Sequence, residues 1–193
     1  MKIILLLVTA LLVTACGNTE PEITPTSIAA ETAAATVPNV TPEEFDDYAQ
    51  LRREMVEQGV IRLGITDEAV IEAMTAVPRH EFVPDDYIEQ AYDNHPLPIG
   101  HGQTISQPYI VALMTQAAAV EAGDKVLEVG TGSGYQAAVL AELVDQVYSV
   151  EIIGALVERA QADLAQLGYD NVIVRHADGY FGWPEEAPFD AIV

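Results

Sequence analysis

Blocks of apolar residues alternate with amphipathic stretches along the second half of the chain. Short apolar runs bounded by turn residues predict buried strands, and the longer stretches between them predict helices. In chain order from Lys125, the blocks are KVLEVG (strand), YQAAVLAELV (helix), QVYSVE (strand), GALVERAQADLAQLG (helix), NVIVRH (strand) and FDAIV (start of a strand). Strands that alternate with helices predict right-handed crossovers and a parallel sheet, so the predicted fold class is α/β.

The part of the chain before this region is predicted to begin with helices. In TPEEFDDYAQLRREMVEQGV, Thr41 and Glu44 form a capping-box signature, and Pro42 occupies the first helical position. A second short helix is expected in DEAVIEAMTAV, directly after Thr66. The positions expected to face inward are Phe45, Tyr48, Met55 and Val56 in the first helix, and Val70, Ile71 and Met74 in the second. These features predict an N-terminal helical subdomain.

The N-terminal stretch MKIILLLVTALLVTAC has the layout of a secretion signal. Lys2 precedes an apolar run that is too short for a typical membrane span, and VTAC, ending at Cys16, resembles a bacterial lipobox. That resemblance implies cleavage before Cys16, lipid attachment to its thiol and an extracytoplasmic protein anchored to a bacterial membrane. An uncleaved anchor and an ordinary signal with a leftover cysteine are the alternatives. If the signal interpretation fails, the protein is cytoplasmic.

The chain is therefore predicted to have three parts. Residues 1–15 form the signal peptide, and residues 16–40, rich in Thr, Ala, Pro and Glu without an apolar period, form a flexible tether. Residues 41–193 form the folded domain, with a helical segment at 41–122 and the sheet region at 123–193.

Composition restricts the class of protein further. The 193 residues include 30 acidic and 8 basic side chains, a formal net charge of −22 at pH 7. Nucleic-acid binding needs clustered Lys and Arg, so we expect no nucleic-acid partner. The single cysteine excludes an internal disulfide. The histidines are scattered without metal-ligand spacing, so we predict no metal site and assign them no role. They are His80, His95, His101 and His176.

The stretch GHGQTISQPYIVALM places a cluster of polar residues directly before an apolar, helix-like run. Ser106, followed by Gln107 and Pro108, fits a helix N-cap with proline at an early helical position. Alternatively, the small donors of Gln103, Thr104 and Ser106 converge on a ligand. The stretch alone leaves both interpretations open.

A glycine-rich loop follows the first strand of the sheet region. In VLEVGTGSGYQAA, Gly130, Gly132 and Gly134 lie between a predicted strand and a predicted helix, where glycine allows a ligand to approach the backbone closely. The spacing departs from the G-x-G-x-x-G dinucleotide fingerprint, because Tyr135 occupies the last glycine position. This departure weakens the case for pyrophosphate binding.

Acidic residues follow the next two strands. Glu151 ends the second strand, about twenty residues after the loop, where a carboxylate can accept hydrogen bonds from both hydroxyls of a ribose. Asp178, next to Gly179, follows the third strand and could accept from an adenine amine. The alternatives are a solvated glutamate at a strand end and a turn-forming Asp-Gly pair. Carboxyl ends of parallel strands share one edge, so the three features are expected to form one site.

Together these features resemble class I S-adenosylmethionine-dependent methyltransferases. Within that class, VPRHEFVP, AYDNHPLPIGHGQTISQP, VLEVGTGSGYQAAVLA, VYSVE and DGYFGWPEEAPFDAIV resemble the protein-L-isoaspartate (D-aspartate) O-methyltransferase family. The resemblance implies a Rossmann-like, doubly wound parallel sheet, with 41–122 carrying the active-site segment and 123–193 forming the cofactor-binding core. It implies that Gln103 to Ser106 form a loop over cofactor and substrate, with Ser106 as the active-site serine. The implied cofactor-binding residues are Gln103, Thr104, Ile105, Ser106, Gly130, Gly132, Ser133, Gly134, Glu151, Asp178 and Gly179.

The resemblance also implies a function. S-adenosyl-L-methionine would be the methyl donor, and the free carboxylate of L-isoaspartyl residues in damaged proteins would be the acceptor, so that repair proceeds through a succinimide. The partners would be isoaspartyl proteins or peptides, and we expect a monomer. The chain stops at Val193, inside the expected fourth strand, whereas the family continues, so we expect a C-terminally truncated sheet. A methyltransferase acting on another carboxylate or small molecule and an inactive binding module are the alternatives.

Overall fold

The computed structural model describes the backbone of residues 42–193 and the side chains of residues 48–193. The predictions that fall outside the described residues concern the signal peptide (1–15), the tether (16–40), Cys16, Thr41 and the side chains of Glu44 and Phe45. Nowhere in the described part does a helix combine the length and the apolar composition needed to cross a membrane.

Helices dominate the first part of the described chain and alternate with strands in the second. The helices are α1 (Pro42–Gly59), α2 (Glu68–Ala76), α3 (Pro108–Ala118), α4 (Tyr135–Ala141) and α5 (Gly154–Gln166). The strands are β1 (Leu97–Gly100), β2 (Gln103–Ile105), β3 (Lys125–Val129), β4 (Gln146–Glu151), β5 (Val172–His176) and β6 (Ala191–Ile192). The predicted helical start at Pro42 is confirmed, as are all four strands predicted from Lys125 onward.

The main sheet is parallel and has the order β5-β4-β3-β6. Leu127 of β3 pairs with Tyr148 of β4 and with Ile192 of β6, which places β3 inside the sheet. The chain runs outward from β3 to β4 and β5 and then returns to the other side of β3. This reversal next to β3 is the kind of switch point at which α/β proteins bind ligands, beyond the carboxyl ends of the strands.

Alternate residues of the strands face two different apolar clusters, as a pleated strand requires. Val126, Val147 and Val174 belong to the large core, to which all five helices contribute side chains, including the predicted Met55 and Met74. The opposite face carries a smaller cluster. It consists of Leu127, Tyr148, Val150, Ala177, Trp183 and Phe189. In the described residues this second face is therefore covered by the segments after β5 rather than by a helix.

An antiparallel hairpin that the apolar pattern did not predict precedes α3. It consists of β1 and β2, and Gly100 pairs with Gln103 around a two-residue turn. The turn residues His101 and Gly102 have φ angles of 53° and 72°, and the type I′ turn favoured in two-residue hairpins needs positive φ at both positions. The expectation that Gln103 to Ser106 form a loop is therefore wrong for Gln103–Ile105, which form a strand.

The predicted N-cap at Ser106 is wrong by one residue. Pro108 is the first residue of α3, as predicted, but the N-cap is Gln107, and its side chain makes no capping hydrogen bond. Gln107 has φ −52° and ψ 136°, an extended conformation favoured by any residue before proline. Because proline at the first helical position puts the cap on its predecessor, Ser106 is left outside the helix.

Candidate functional site

The predicted site residues lie at the carboxyl edge of the parallel sheet. The glycine loop follows β3, Glu151 ends β4 and Asp178 follows β5. The amides of Gly130 and Thr131 both donate to the carbonyl of Val150, at 2.8 and 3.3 Å. The loop is therefore bonded to the neighbouring strand, and the first two strand ends form one rigid edge.

Positive φ angles explain the glycines of this loop. Gly130, Gly132 and Gly134 have φ angles of 99°, 56° and 90°, which side chains rarely tolerate. A Cβ on Gly134 would also come within 3.3 Å of Leu164, because α5 packs closely there. Gly130 has open space around it instead, so the exposed backbone at Gly130 can be approached by a ligand.

Glu151 binds this loop through its carboxylate. Its side chain is only 6% exposed, with Oε2 accepting from the Gly132 amide and Oε1 from the Ile153 amide, both at 2.9 Å. The alternative of a solvated glutamate at a strand end is therefore wrong. A carboxylate has about four acceptor positions, so each oxygen can still accept a bond from a ligand hydroxyl. The contact of Glu151 with a ribose stays a prediction.

Asp178 is exposed, and it forms the turn that the alternative interpretation of the Asp-Gly pair predicted. Its Oδ1 accepts from the Tyr180 amide at 2.9 Å and begins the short 3₁₀ turn Gly179–Phe181. A Cβ on Gly179 would overlap the side chain of Val129, so only glycine allows the chain after β5 to lie against the end of β3. Turn formation does not exclude an adenine contact, which stays a prediction.

Sequence reasoning missed a buried polar chain beneath the glycine loop. Glu128 is 2% exposed and accepts from the Ser149 hydroxyl, whose oxygen lies 2.5 Å from that of Thr131. Burial raises the pKa of Glu128 to about 8, the bond from Ser149 opposes the shift, and the nearby charge of Glu151 adds to it. The available signal was an acidic residue inside the apolar run VLEV. This series of hydrogen bonds connects the buried Glu128 to Thr131 in the glycine loop.

The hairpin lies against the glycine loop. A Cβ on Gly132 would be 3.5 Å from the Cδ1 atom of Ile99 in β1. In the following segment Gln103, Thr104 and Ser106 are exposed, whereas Ile105 is 3% exposed and belongs to the core. The structure therefore leaves three of the four implied residues accessible, and the side chain of Ile105 anchors them.

Ser133, whose cofactor contact stays a prediction, and His80, which was assigned no role, both bond to groups within the protein. The Ser133 side chain is buried and its hydroxyl accepts from the Tyr135 amide at 3.3 Å. His80 stacks on Tyr48 and shares a 2.7 Å hydrogen bond with the Tyr92 hydroxyl, and burial lowers its pKa. Over residues 48–193, no three His, Cys, Asp or Glu side chains are grouped as metal ligands would be.

A parallel sheet whose strand order reverses next to β3, with a glycine loop and acidic strand ends beside that switch point, defines a Rossmann-like α/β protein of the class I methyltransferase type. The model of the protein-L-isoaspartate(D-aspartate) O-methyltransferase (PCMT) family matches residues 50–193. The chain belongs to this family.

Protein-L-isoaspartate O-methyltransferases of several bacteria are similar in sequence to most of this chain. A protein-L-isoaspartate O-methyltransferase of Opitutus terrae is 63% identical over 142 residues, which are 74% of this chain and 61% of the relative. One from a Synechococcus strain is 59% identical over 152 residues, 79% of this chain and 62% of the relative. The chain thus spans about three fifths of the length of these curated relatives.

Solved structures show the same fold. A protein-L-isoaspartate O-methyltransferase matches with a TM-score of 0.66 and 32% identity, over 72% of this chain and 46% of that one. A Plasmodium falciparum protein-L-isoaspartate O-methyltransferase in complex with S-adenosyl-L-homocysteine matches with a TM-score of 0.62 and 27% identity, over 73% and 71% of the two chains.

Proposed function

We propose that the protein transfers a methyl group from S-adenosyl-L-methionine to the free carboxylate of L-isoaspartyl residues in damaged proteins. A backbone amide nitrogen would then attack the resulting methyl ester and displace methanol, which closes a succinimide and begins repair. The observation that carries the proposal is the Glu151 carboxylate bonded to the Gly132 amide at 2.9 Å, next to an exposed glycine backbone. Family membership and the S-adenosyl-L-homocysteine in a related structure support it.

The residues at this edge fit the proposed cofactor. Gly130 and Gly132 would lie against it, and the free acceptor positions of Glu151 would bind the ribose hydroxyls. Asp178 has Oδ2 free of protein partners within the described residues, so it could accept from the adenine amine. S-adenosylmethionine supplies a methyl group on a positively charged sulfur, which becomes the neutral sulfur of S-adenosylhomocysteine.

The chain's part in the reaction is to bind and orient the acceptor. The free carboxylate of an isoaspartyl residue is already ionised at neutral pH, so the oxygen that forms the new bond to carbon needs no general base. What the residues must supply is alignment of that oxygen with the methyl carbon, and exclusion of water. Ser106 is exposed and its hydroxyl makes no bond to other described residues, so it is free to donate to the carboxylate.

The proposal is tested with the full-length gene product and two peptides that differ only in isoaspartyl or aspartyl linkage. Methyl-ester formation on the isoaspartyl peptide alone is expected. Ser106→Ala should lower kcat by about tenfold or more, roughly 1.4 kcal/mol in the barrier. Stability should change little, because Ser106 is not the N-cap of α3. Equal rates on both peptides would favour another carboxylate substrate, and no turnover with retained cofactor binding would favour a binding module.

We also propose that the protein is a monomer anchored outside the cytoplasm to a bacterial membrane through lipidated Cys16. The resemblance of VTAC to a lipobox and the Thr/Ala/Pro-rich stretch that follows it support the anchor.

The net charge of −22 supports the absence of a nucleic-acid partner. Light scattering after gel filtration tests the monomer.

A further inference from the structure

Arg79 is a fully buried cation without an acidic partner among the side chains of residues 48–193. It lies in the 3₁₀ turn Arg79–Phe82, it is 0% exposed, and none of the ion pairs among the described side chains includes it. Its Nε donates to the carbonyl of Ala91 and its Nη2 to the carbonyl of Ser106, both at 2.8 Å. The guanidinium carbon lies 4.7 Å from the centre of the Tyr135 ring.

The buried charge of Arg79 has a cost in stability. Burying a charge without a counter-ion among the described side chains opposes folding, and burial lowers the pKa of Arg79. An apolar side chain of similar volume would avoid that cost, but it would leave the carbonyls of Ala91 and Ser106 without this donor. Lysine could not replace the geometry, because it presents a point charge, whereas the planar guanidinium reaches two carbonyls in fixed directions. A role beyond packing is therefore indicated.

The contacts of Arg79 connect the two halves of the candidate site. Ser106 lies between the buried residues Ile105 and Pro108. Among the described residues, Arg79 is the side chain that donates a hydrogen bond to the Ser106 carbonyl. Tyr135 follows the glycine loop directly and is 1% exposed. One guanidinium thus contacts both the backbone of Ser106 and the first residue of α4.

We propose that Arg79 is a positioning residue that holds the Ser106 backbone at a fixed distance from the glycine loop, so that the Ser106 hydroxyl meets the acceptor carboxylate in line with the methyl donor. This inference rests on the proposed function. Methyl transfer neutralises the carboxylate, so a cation in direct contact would stabilise the reactants more than the transition state. Arg79 avoids that effect because it acts through the Ser106 carbonyl.

The test combines kinetics with a spectroscopic signal from the same bond. Ser106–Gln107 is the single Ser-Gln pair in these 193 residues. Labelling serine carbonyls with ¹³C and glutamine nitrogens with ¹⁵N therefore gives an NMR peak for the Ser106 carbonyl, which is assigned by its disappearance in Gln107→Asn. In full-length Arg79→Lys this peak should shift, and kcat on the isoaspartyl peptide should fall at least tenfold. KM and the affinity for S-adenosylhomocysteine should stay within about threefold, because Arg79 itself contacts neither ligand in this proposal and the loss falls on alignment in the transition state.

Arg159→Lys is the matched control, because Arg159 is partly exposed and pairs with Asp163 at 3.3 Å on α5. It should leave the peak and kcat unchanged. An active wild-type enzyme with unaffected kcat in Arg79→Lys would overturn this inference alone. A parallel loss of kcat, cofactor affinity and melting temperature would reduce Arg79 to a structural role and also overturn it. An inactive wild-type enzyme would overturn the proposed function as well.

A measurement on the wild-type protein covers the case in which Arg79→Lys does not fold. Through-bond coupling between Arg79 Nη2 and the Ser106 carbonyl should be detectable and should persist when S-adenosylhomocysteine and an isoaspartyl peptide are bound. Loss of the coupling in that complex would overturn the positioning role, because Ser106 would then be held by something else.

Discussion

At the residue scale, Glu151 combines structural support of the glycine loop with the predicted contact to a ribose. Both carboxylate oxygens already accept backbone amides, and two acceptor positions stay open. Loss of the side chain should therefore affect both the stability of the loop and the affinity for the cofactor.

The first prediction concerns that double role. Glu151→Ala should weaken S-adenosylhomocysteine binding by roughly 1.5–3 kcal/mol, because two charge-assisted bonds to the ligand are lost. The free energy of unfolding should also fall, by about 1–3 kcal/mol, since the amides of Gly132 and Ile153 lose their acceptor. Calorimetry and urea unfolding measure the two effects. Glu158→Ala, at an exposed position on α5, is the control. Unchanged affinity in Glu151→Ala would remove Glu151 from the site.

The second prediction follows from the buried carboxyl of Glu128. Its pKa is about 8 in the folded state and near 4.5 when solvated, so between these values the folded state holds a proton that the unfolded state has released. Stability from this group is complete below pH 4.5 and is lost as the pH rises towards 8. The slope should approach at most about 1.4 kcal/mol per pH unit.

Glu128→Gln isolates this effect, because glutamine keeps the shape and an acceptor for Ser149 but does not titrate. Urea unfolding from pH 5 to pH 8.5 should show wild-type stability falling relative to the variant across that range. Parallel stability profiles would show that Glu128 is not protonated in the folded protein.

At the scale of elements, the apolar pattern predicted the parallel strands well and the hairpin not at all. The strand Gln146–Glu151 carries β-branched and aromatic residues at Val147, Tyr148 and Val150 and is buried on both faces, so its sequence favours a strand. β1 and β2 have only four and three residues, and their turn is His-Gly rather than the commoner Asn-Gly. Elements this short leave little periodicity to detect.

The site was predictable to the extent that its residues follow strands. Glu151 was identified because it ends an apolar run at a fixed distance from the glycine loop. Arg79 was not identified, because no pattern in the neighbouring sequence predicts that it is buried. Its partners are the carbonyls of residues 12 and 27 positions away and the ring of Tyr135. Contacts of this kind are products of the tertiary fold.

The third prediction belongs to the hairpin. Gly102 has φ 72° and open space around a hypothetical Cβ, so a side chain there meets conformational strain and no clash. Gly102→Val should therefore destabilise the protein by about 1 kcal/mol or more. His101→Asn should be neutral or stabilise by about 0.5 kcal/mol, since asparagine tolerates positive φ. Thermal unfolding of both variants tests this, and the reverse order would argue against the type I′ turn.

At the scale of the whole molecule, the proposed lipid anchor makes the location of the protein depend on the thiol of Cys16. A single acyl chain binds membranes marginally, whereas two or more anchor stably.

The fourth prediction is that Cys16→Ser abolishes lipid labelling and releases the protein from the membrane fraction. The control is Thr19→Ser, which lies in the predicted tether and leaves the cysteine intact. Fractionation of cells with labelled fatty acid measures both variants. Wild-type protein in the cytosol with Met1 still in place would contradict the anchor.

Because the Glu151 carboxylate bonds the glycine loop to β4 through backbone amides, the protein's own contacts preorganise the binding surface. Binding then orders few additional residues, and little of the binding energy is lost to conformational entropy. A ligand that binds only the folded state also raises the free energy of unfolding, by about 2.7 kcal/mol when the ligand is present at one hundred times its Kd. The melting temperature would then report how much ligand surrounds the protein, and wherever the ligand is scarce the same fold is easier to unfold.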